Sequence, residues 1–161
     1  MTARTLDEFD VRILHALQRD GRLGNQQLAE EVHLSPSQCS RRRTALEEAG
    51  VIRRYRAELD PERLGMTVTA LVQVTLATHS PDTSTEFRAL VGRIAAIQKA
   101  WSVTGDTDYV LQVIVADLRG LSTLISDVLL PHRSVAHVKS SIVLDTLKSD
   151  ADIPLPDPGR G

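Results

Sequence analysis

Aromatic side chains are scarce in this sequence: two Phe, two Tyr and one Trp make up 3 % of its 161 residues. A core must therefore be built from aliphatic side chains, and at 42 % apolar residues there are enough of them. A single cysteine, Cys39, excludes an intrachain disulfide and a multi-cysteine zinc site. No apolar run comes near the ~18 residues that cross a bilayer, so no membrane partner is expected. The opening MTARTLDEFD has no apolar centre and is not expected to be a secretory signal. There is no P-loop, no GxSxG and no GxGxxG followed by an acid. His132 and His137 flank a loop five positions apart, which is poor metal spacing. No catalytic residue, metal or cofactor is expected, and a soluble cytoplasmic protein fits these absences.

Charge is plentiful but nearly balanced, 19 basic against 21 acidic residues for a net −2. Its distribution is uneven. Residues 1–65 hold eleven arginines, no lysine and eleven acids, whereas residues 66–161 hold eight basic and ten acidic residues. Between Pro36 and Ala57 six arginines meet two glutamates, a local +4 (6 − 2) in a chain that is net negative. Such a patch suits an anionic partner, although a charge run alone is more often a solvated helix face.

The first part reads as helices. Thr5 and Glu8 have capping-box spacing ahead of an apolar stripe of Phe9, Ile13, Leu14 and Leu17, and Asp20-Gly21 supplies a stop with Gly21 left-handed. A short helix follows Asn25 as N-cap, burying Leu28, Ala29 and Val32, with a turn at His33-Leu34. Ser35-Pro36-Ser37-Gln38 opens a third helix with a cap, a proline at the first helical position and a capping-box glutamine; it runs to Glu48 or Ala49 and stops at Gly50. Helix, three-residue turn, helix is the helix-turn-helix pattern. The alternation from Val51 to Leu59 predicts a short wing strand, and Asp60 to Gly65 (DPERLG) a linker.

The second part has long β-branched runs. Strands are predicted at Val68–Ala77, Ile97–Thr104, Val110–Ala116 and Val135–Leu147. Helices are predicted over 82–95 and after Asp117. The order βαββαβ is a ferredoxin-like α+β unit with both helices on one sheet face. Strands such as VTALVQVTLA are apolar on both faces, so a second copy of the chain is expected over the uncovered one. The tail PLPDPGRG, with three prolines and two glycines, is expected to be loose.

In a helix-turn-helix the early turns of the second helix face base edges. That points to Ser35, Ser37, Gln38, Ser40, Arg41 and Arg42, with Arg53 and Arg54 following in the wing. Glutamine suits adenine, arginine guanine, and serine either a base or a phosphate. Arg43 is set apart, because it shares the inward stripe of Cys39 and Leu46, where its stem packs and its head snorkels. In the second part, Gly105, Asp106, Thr107 and Asp108 form a turn in which glycine permits φ > 0 and the aspartates can accept from an ammonium group. Ser140 on the last strand can add a hydroxyl. An ordinary turn with solvated aspartates is the plainer reading of those residues alone.

Several of these stretches, in order, resemble one family. Leu6-Asp7-x-x-Asp10-x-x-Ile13-Leu14, Gln18-Arg19-Asp20-Gly21-Arg22, Leu34-Ser35-Pro36-Ser37, Leu46-Glu47-Glu48-x-Gly50-Val51-Ile52, Leu59-Asp60-Pro61 and Val103-Thr104-Gly105-Asp106-Thr107-Asp108-Tyr109 are similar to the leucine-responsive/asparagine (Lrp/AsnC, feast/famine) regulators. The resemblance runs from about Leu6 to Lys148. Two positions depart from it: Arg43 stands where the family is usually apolar, and Thr107 where it is usually aromatic. The resemblance implies a winged helix-turn-helix DNA-binding domain over 5–65 (the motif itself at about 25–44), a βαββαβ ligand-sensing and oligomerisation domain over 66–148, and a flexible tail over 149–161. It implies a transcriptional regulator of double-stranded DNA, tuned by a small-molecule effector of amino-acid type, and a homodimer that assembles further, into octamers. Two other readings stay open at this point: an architectural DNA-binding protein without effector, and an enzyme on the ferredoxin-like half.

Overall fold

The computed structural model describes residues 5–149 and 152–155. The chain divides into two compact units. One comprises residues up to Glu58 together with those from Lys148 on, and the other comprises Leu59–Leu147.

The first unit is built on three helices: α1 (Glu8–Arg19), α2 (Asn25–Val32) and α3 (Pro36–Glu48). Helix α1 begins two residues later than a Thr5 cap would have it. Asp7 is the N-cap, and its carboxylate accepts from the Asp10 N–H at 2.8 Å. A carboxylate at a helix N-terminus gains the dipole as well as the hydrogen bond, which favours Asp7 over the more distant Thr5 hydroxyl. At the other end Asp20 closes the helix in an extended conformation, and Gly21 does not take the left-handed one. Gly24, rather than Asn25, caps α2, and the Gln27 amide oxygen accepts from its N–H. The start of α3 follows the sequence expectation: Ser35 Oγ accepts from Gln38 N–H, and Gln38 Oε1 accepts from Ser35 N–H at 3.0 Å. The helix ends before Gly50, which has φ +69°. Ile13, Leu28, Val32, Cys39 and Leu46 are nearly inaccessible and form the core, with Leu155 packed against it.

No strand forms between Val51 and Leu59; the segment begins with a bend at Val51-Ile52 and joins no sheet. The wing expected there is therefore corrected to an open connection. Alternation supplies two faces, but a strand also needs a neighbouring backbone to bond with.

In the second unit β1 (Val68–Leu76), α4 (Pro81–Val91), β2 (Ile97–Ser102), β3 (Tyr109–Val115), α5 (Leu118–Thr123) and β4 (Val135–Ile142) follow in the expected βαββαβ order. The antiparallel sheet has the order β2-β3-β1-β4. Ser80 and Asp117 cap the helices. After Thr123 the last helix widens into a π-helical stretch, Leu124–Leu129. Alternate residues of β1 (Ala70, Val72, Val74) and β3 (Leu111, Val113) are inaccessible beneath Phe87, Leu121 and Leu129. The other sheet face carries no helix. There Leu71 is 41 % and Trp101 44 % exposed, interleaved with Gln73, Gln112 and Lys139. Strand β4 ends at Ile142, five residues short of the expected Leu147.

Candidate nucleic-acid interface and effector loop

Helical phase decides which side chains of α3 are available. Cys39 and Leu46 point into the core; Ser37, Ser40, Arg41 and Thr44 lie exposed along the opposite stripe. Thr44 follows Ser37 and Ser40 at i+7 and i+4, a spacing the sequence holds but that charge-seeking overlooks. Ser35 and Gln38 also reach the surface, but as a pair: Gln38 Oε1 takes the Ser35 hydroxyl as well as its N–H, each at 3.0 Å. Gln38 therefore cannot read adenine through both amide atoms while the cap stands.

The three consecutive arginines have three different surroundings. Arg41 projects from the outer face. Arg42, expected on DNA, is turned back instead. Its Nη1 donates to Asp7 Oδ2 and Asp10 Oδ1, both at 2.7 Å, and its guanidinium lies 5.4 Å from the centre of the Phe9 ring. Asp10 is 2 % exposed, so this contact ties α3 to α1 through a buried carboxylate. Burial pushes the Asp7 carboxyl up, but the Asp10 N–H and the Arg42 guanidinium outweigh it and hold the group below the usual carboxylate range.

Arg43, the departure from the family pattern, stacks 4.5 Å above Tyr55. It donates to Tyr55 Oη at 2.8 Å, to Glu47 Oε1 at 3.2 Å and to the Leu23 carbonyl at 3.0 Å. One planar fork thus gathers α3, the α1–α2 loop and the segment after Gly50. Partial burial and then Glu47 push the Tyr55 hydroxyl pKa up. Arg53 and Arg54 lie exposed on that segment. Cys39 is inaccessible, and its thiol is pushed up by burial, which suits a packing residue rather than a nucleophile.

In the second unit the loop from Val103 to Asp108 joins β2 to β3. Gly105 has φ +116°, and nothing lies within 4 Å of where a Cβ would stand, so backbone conformation alone demands glycine here. Asp106 is exposed. Thr107 and Asp108 are anchored: Thr107 Oγ1 donates to the Val74 carbonyl at 3.0 Å, and Asp108 Oδ2 accepts from the Leu76 N–H at 2.8 Å. The remaining Asp108 oxygen lies 3.4 Å from His79 Nδ1. Beside it opens a groove of about 330 Å³, lined by His79, Ser80, Ser84, Ser102, Asp108 and Tyr109. No sequence spacing announces His79 here; the register of β1 against β3 brings it. Ser140 is not in this cluster. It pairs with Val72 on β4, so β1 stands between it and β3, two strand spacings or about 10 Å away. Within one chain the five expected effector residues are thus not brought together. Among the described residues no group of three His, Cys, Asp or Glu side chains is placed to hold a metal ion.

This geometry has relatives. Residues 6–47 match the AsnC-type helix-turn-helix domain, and residues 69–153 match the Lrp/AsnC ligand binding domain. The leucine-responsive regulatory protein of Haemophilus influenzae is 37 % identical over 145 residues, covering 90 % of this chain and 87 % of that one. Transcriptional regulator AzlB of Bacillus subtilis is 33 % identical, covering 93 % and 96 %. Among solved structures, a Neisseria meningitidis transcriptional regulator in complex with L-Met superposes with a TM-score of 0.89 at 39 % identity, covering 93 % of this chain and 97 % of that one. An AsnC family regulator from Agrobacterium tumefaciens gives 0.86 at 32 % identity, covering 92 % and 97 %. Domain order, fold and similarity across nine-tenths of the chain agree: it belongs to the Lrp/AsnC family of transcriptional regulators, which are not enzymes.

Proposed function

We propose that this regulator reads double-stranded DNA with the outer stripe of α3, Ser37, Ser40, Arg41 and Thr44, while Arg53 and Arg54 contact phosphates. The observation that carries this is the phase of α3. Its buried stripe faces the three-helix core, and its opposite stripe is polar and open to solvent, as a helix entering a major groove requires. On this reading 5–65 is the DNA-binding domain and 66–148 the effector and assembly domain, and the protein works in the cytoplasm with the nucleoid.

The effector is an amino acid that binds at Gly105–Asp108 beside the groove at His79. The L-Met bound by the Neisseria relative supports that class. Because β1 separates Ser140 from the loop, a Ser140 hydroxyl completes the site only from another copy of the chain. The helix-free sheet face, with Leu71 and Trp101 exposed, is where a second copy packs, and larger assemblies up to octamers follow from dimers. Sedimentation at micromolar concentration gives a dimer or larger; a folded 17.7 kDa monomer refutes the assembly.

The functional test is a thermal-shift screen against the twenty amino acids, L-methionine first, followed by DNA titration with and without each hit. A ligand that binds only the folded state raises the apparent melting temperature by mass action. Its effect on DNA affinity is expected at about 1–3 kcal/mol of coupling. DNA binding that ignores every amino acid returns the architectural reading.

A further inference from the structure

The C-terminal segment of the chain returns to α1. Gln18, in the last turns of that helix, makes a reciprocal pair with one residue of the segment. Its Oε1 accepts from the Ile153 N–H at 2.8 Å, and its Nε2 donates to the Ile153 carbonyl at 3.2 Å. A side-chain amide thereby recognises one peptide residue as a neighbouring strand would, through its backbone alone. The Ile153 side chain itself is 71 % exposed. Pro154 biases Ile153 towards the extended conformation that presents N–H and C=O together. Two residues on, Leu155 packs against the core that contains Leu14, Leu17 and Leu28. Of the tail expected to be loose, residues 152–155 are docked; 150–151 and 156–161 lie outside the described residues.

The same helix carries, near its other end, Asp7 and Asp10, which hold Arg42 of α3. We propose that residues 152–155 are a working part of the DNA-binding unit: the chain's own C-terminal segment docks on α1 and, through the contacts of Asp7 and Asp10 with Arg42, fixes the helix that reads DNA. The unit then joins residues from either side of the second unit in the sequence, to which the chain connects it near residues 58 and 148. The segment is a positioning element and touches no DNA. The proposal rests on α3 as the reading helix and on no property of the effector.

The test uses full-length protein. Ile153→Pro removes the N–H that Gln18 accepts but only an exposed side chain. Gln18→Ala removes both bonds, Leu155→Asp the burial, and Leu155→Met is the conservative control. The first three are expected to speed amide exchange in α1 and to weaken DNA binding about five-fold, one modest interaction's worth. The dependence of affinity on salt is expected to stay unchanged, because no phosphate contact is lost. Leu155→Met is expected to keep wild-type affinity. A short bismaleimide joining cysteines placed at 18 and 153, in a Cys39→Ala background, is expected to close within one chain. Cross-links between differently tagged chains would overturn the assignment to the chain's own segment. Unchanged exchange and DNA affinity in Gln18→Ala and Ile153→Pro would overturn the docking, and a reduced salt slope would show direct DNA contact instead. If Arg41→Ala leaves DNA binding intact while these variants weaken it, the reading-helix assignment fails and the docking stands.

Discussion

The arginine triplet of α3 and the acidic turn between β2 and β3 are both short runs of like charge, and the fold divides each in the same way. Arg41 and Asp106 face outward. Arg42 and Arg43, and on the other side Asp108 with Thr107, are spent on holding their own unit together. The two regions differ in what they hold. The arginines join α3 to α1, to the α1–α2 loop and to the segment after Gly50, whereas Asp108 and Thr107 satisfy backbone groups of β1 and, at Tyr109, of β3. A run of charge therefore marks a surface without saying which member meets the partner; neighbouring residues on a helix or turn point in different directions.

The largest effect expected from this contrast is on stability in the first unit. Asp10→Ala leaves Arg42 with Asp7 as its remaining carboxylate partner and is expected to cost roughly 1–3 kcal/mol, below the ~3–5 kcal/mol of a fully broken buried pair because Arg42 keeps Asp7 and some contact with water. Denaturant unfolding measures it, and a loss under 1 kcal/mol would show the pair to be incidental. Arg41→Ala, one residue from Arg42, is expected to leave stability within about 0.5 kcal/mol and to weaken DNA binding. A lost phosphate contact lowers the salt slope by about one, and a lost base contact costs about 1–3 kcal/mol at one operator position. Equal stability losses in Arg41→Ala and Arg42→Ala would erase the distinction.

In the second unit the contrast turns on one backbone hydrogen bond. Asp108→Ala leaves the Leu76 N–H without its acceptor and is expected to cost about 1–3 kcal/mol, while Asp106→Ala is expected to be neutral to folding. Any loss of effector response in Asp108→Ala must therefore be read against its melting temperature, and Asp106→Ala is the cleaner probe of ligand contact.

The smallest effect is one of pH. Asp7 and Glu86 both have depressed pKa values in the folded chain, Asp7 for the reasons above and Glu86 because Arg133 hydrogen-bonds it. Their contribution is present above the unfolded carboxylate range, about pH 4, and is lost as pH falls through the lower folded values. Acid titration of wild type against Arg133→Ala isolates the Glu86 part; coincident acid limbs would remove it.

Much of this was legible beforehand. Ser35, Pro36 and Gln38 mark a helix start by local chemistry alone, and the β-branched runs, the apolar stripe within 82–95 and the Asp117 cap yield βαββαβ. What sequence could not resolve was partnership across distance. Alternation from Val51 to Leu59 looks like a strand, but among the described residues no strand pairs with it. Arg42 looks like a DNA contact until α1 lays Asp10 beside it, 32 residues away. Ser140 and Asp108 look like one site until the strand order places β1 between them. Ile153 and Gln18 are 135 residues apart, and nothing in a proline-rich tail names its acceptor.

That last separation bears on how the molecule is made. Synthesis delivers α1, α2 and α3 more than a hundred residues before Leu155, which covers part of their core. In the sheet, central strand β1 waits for β3 and β4, both later in the chain. Contacts of long sequence separation form slowly because loop closure must precede them. The helical unit therefore completes its apolar cover only after Leu59–Leu147 of the second unit have been made.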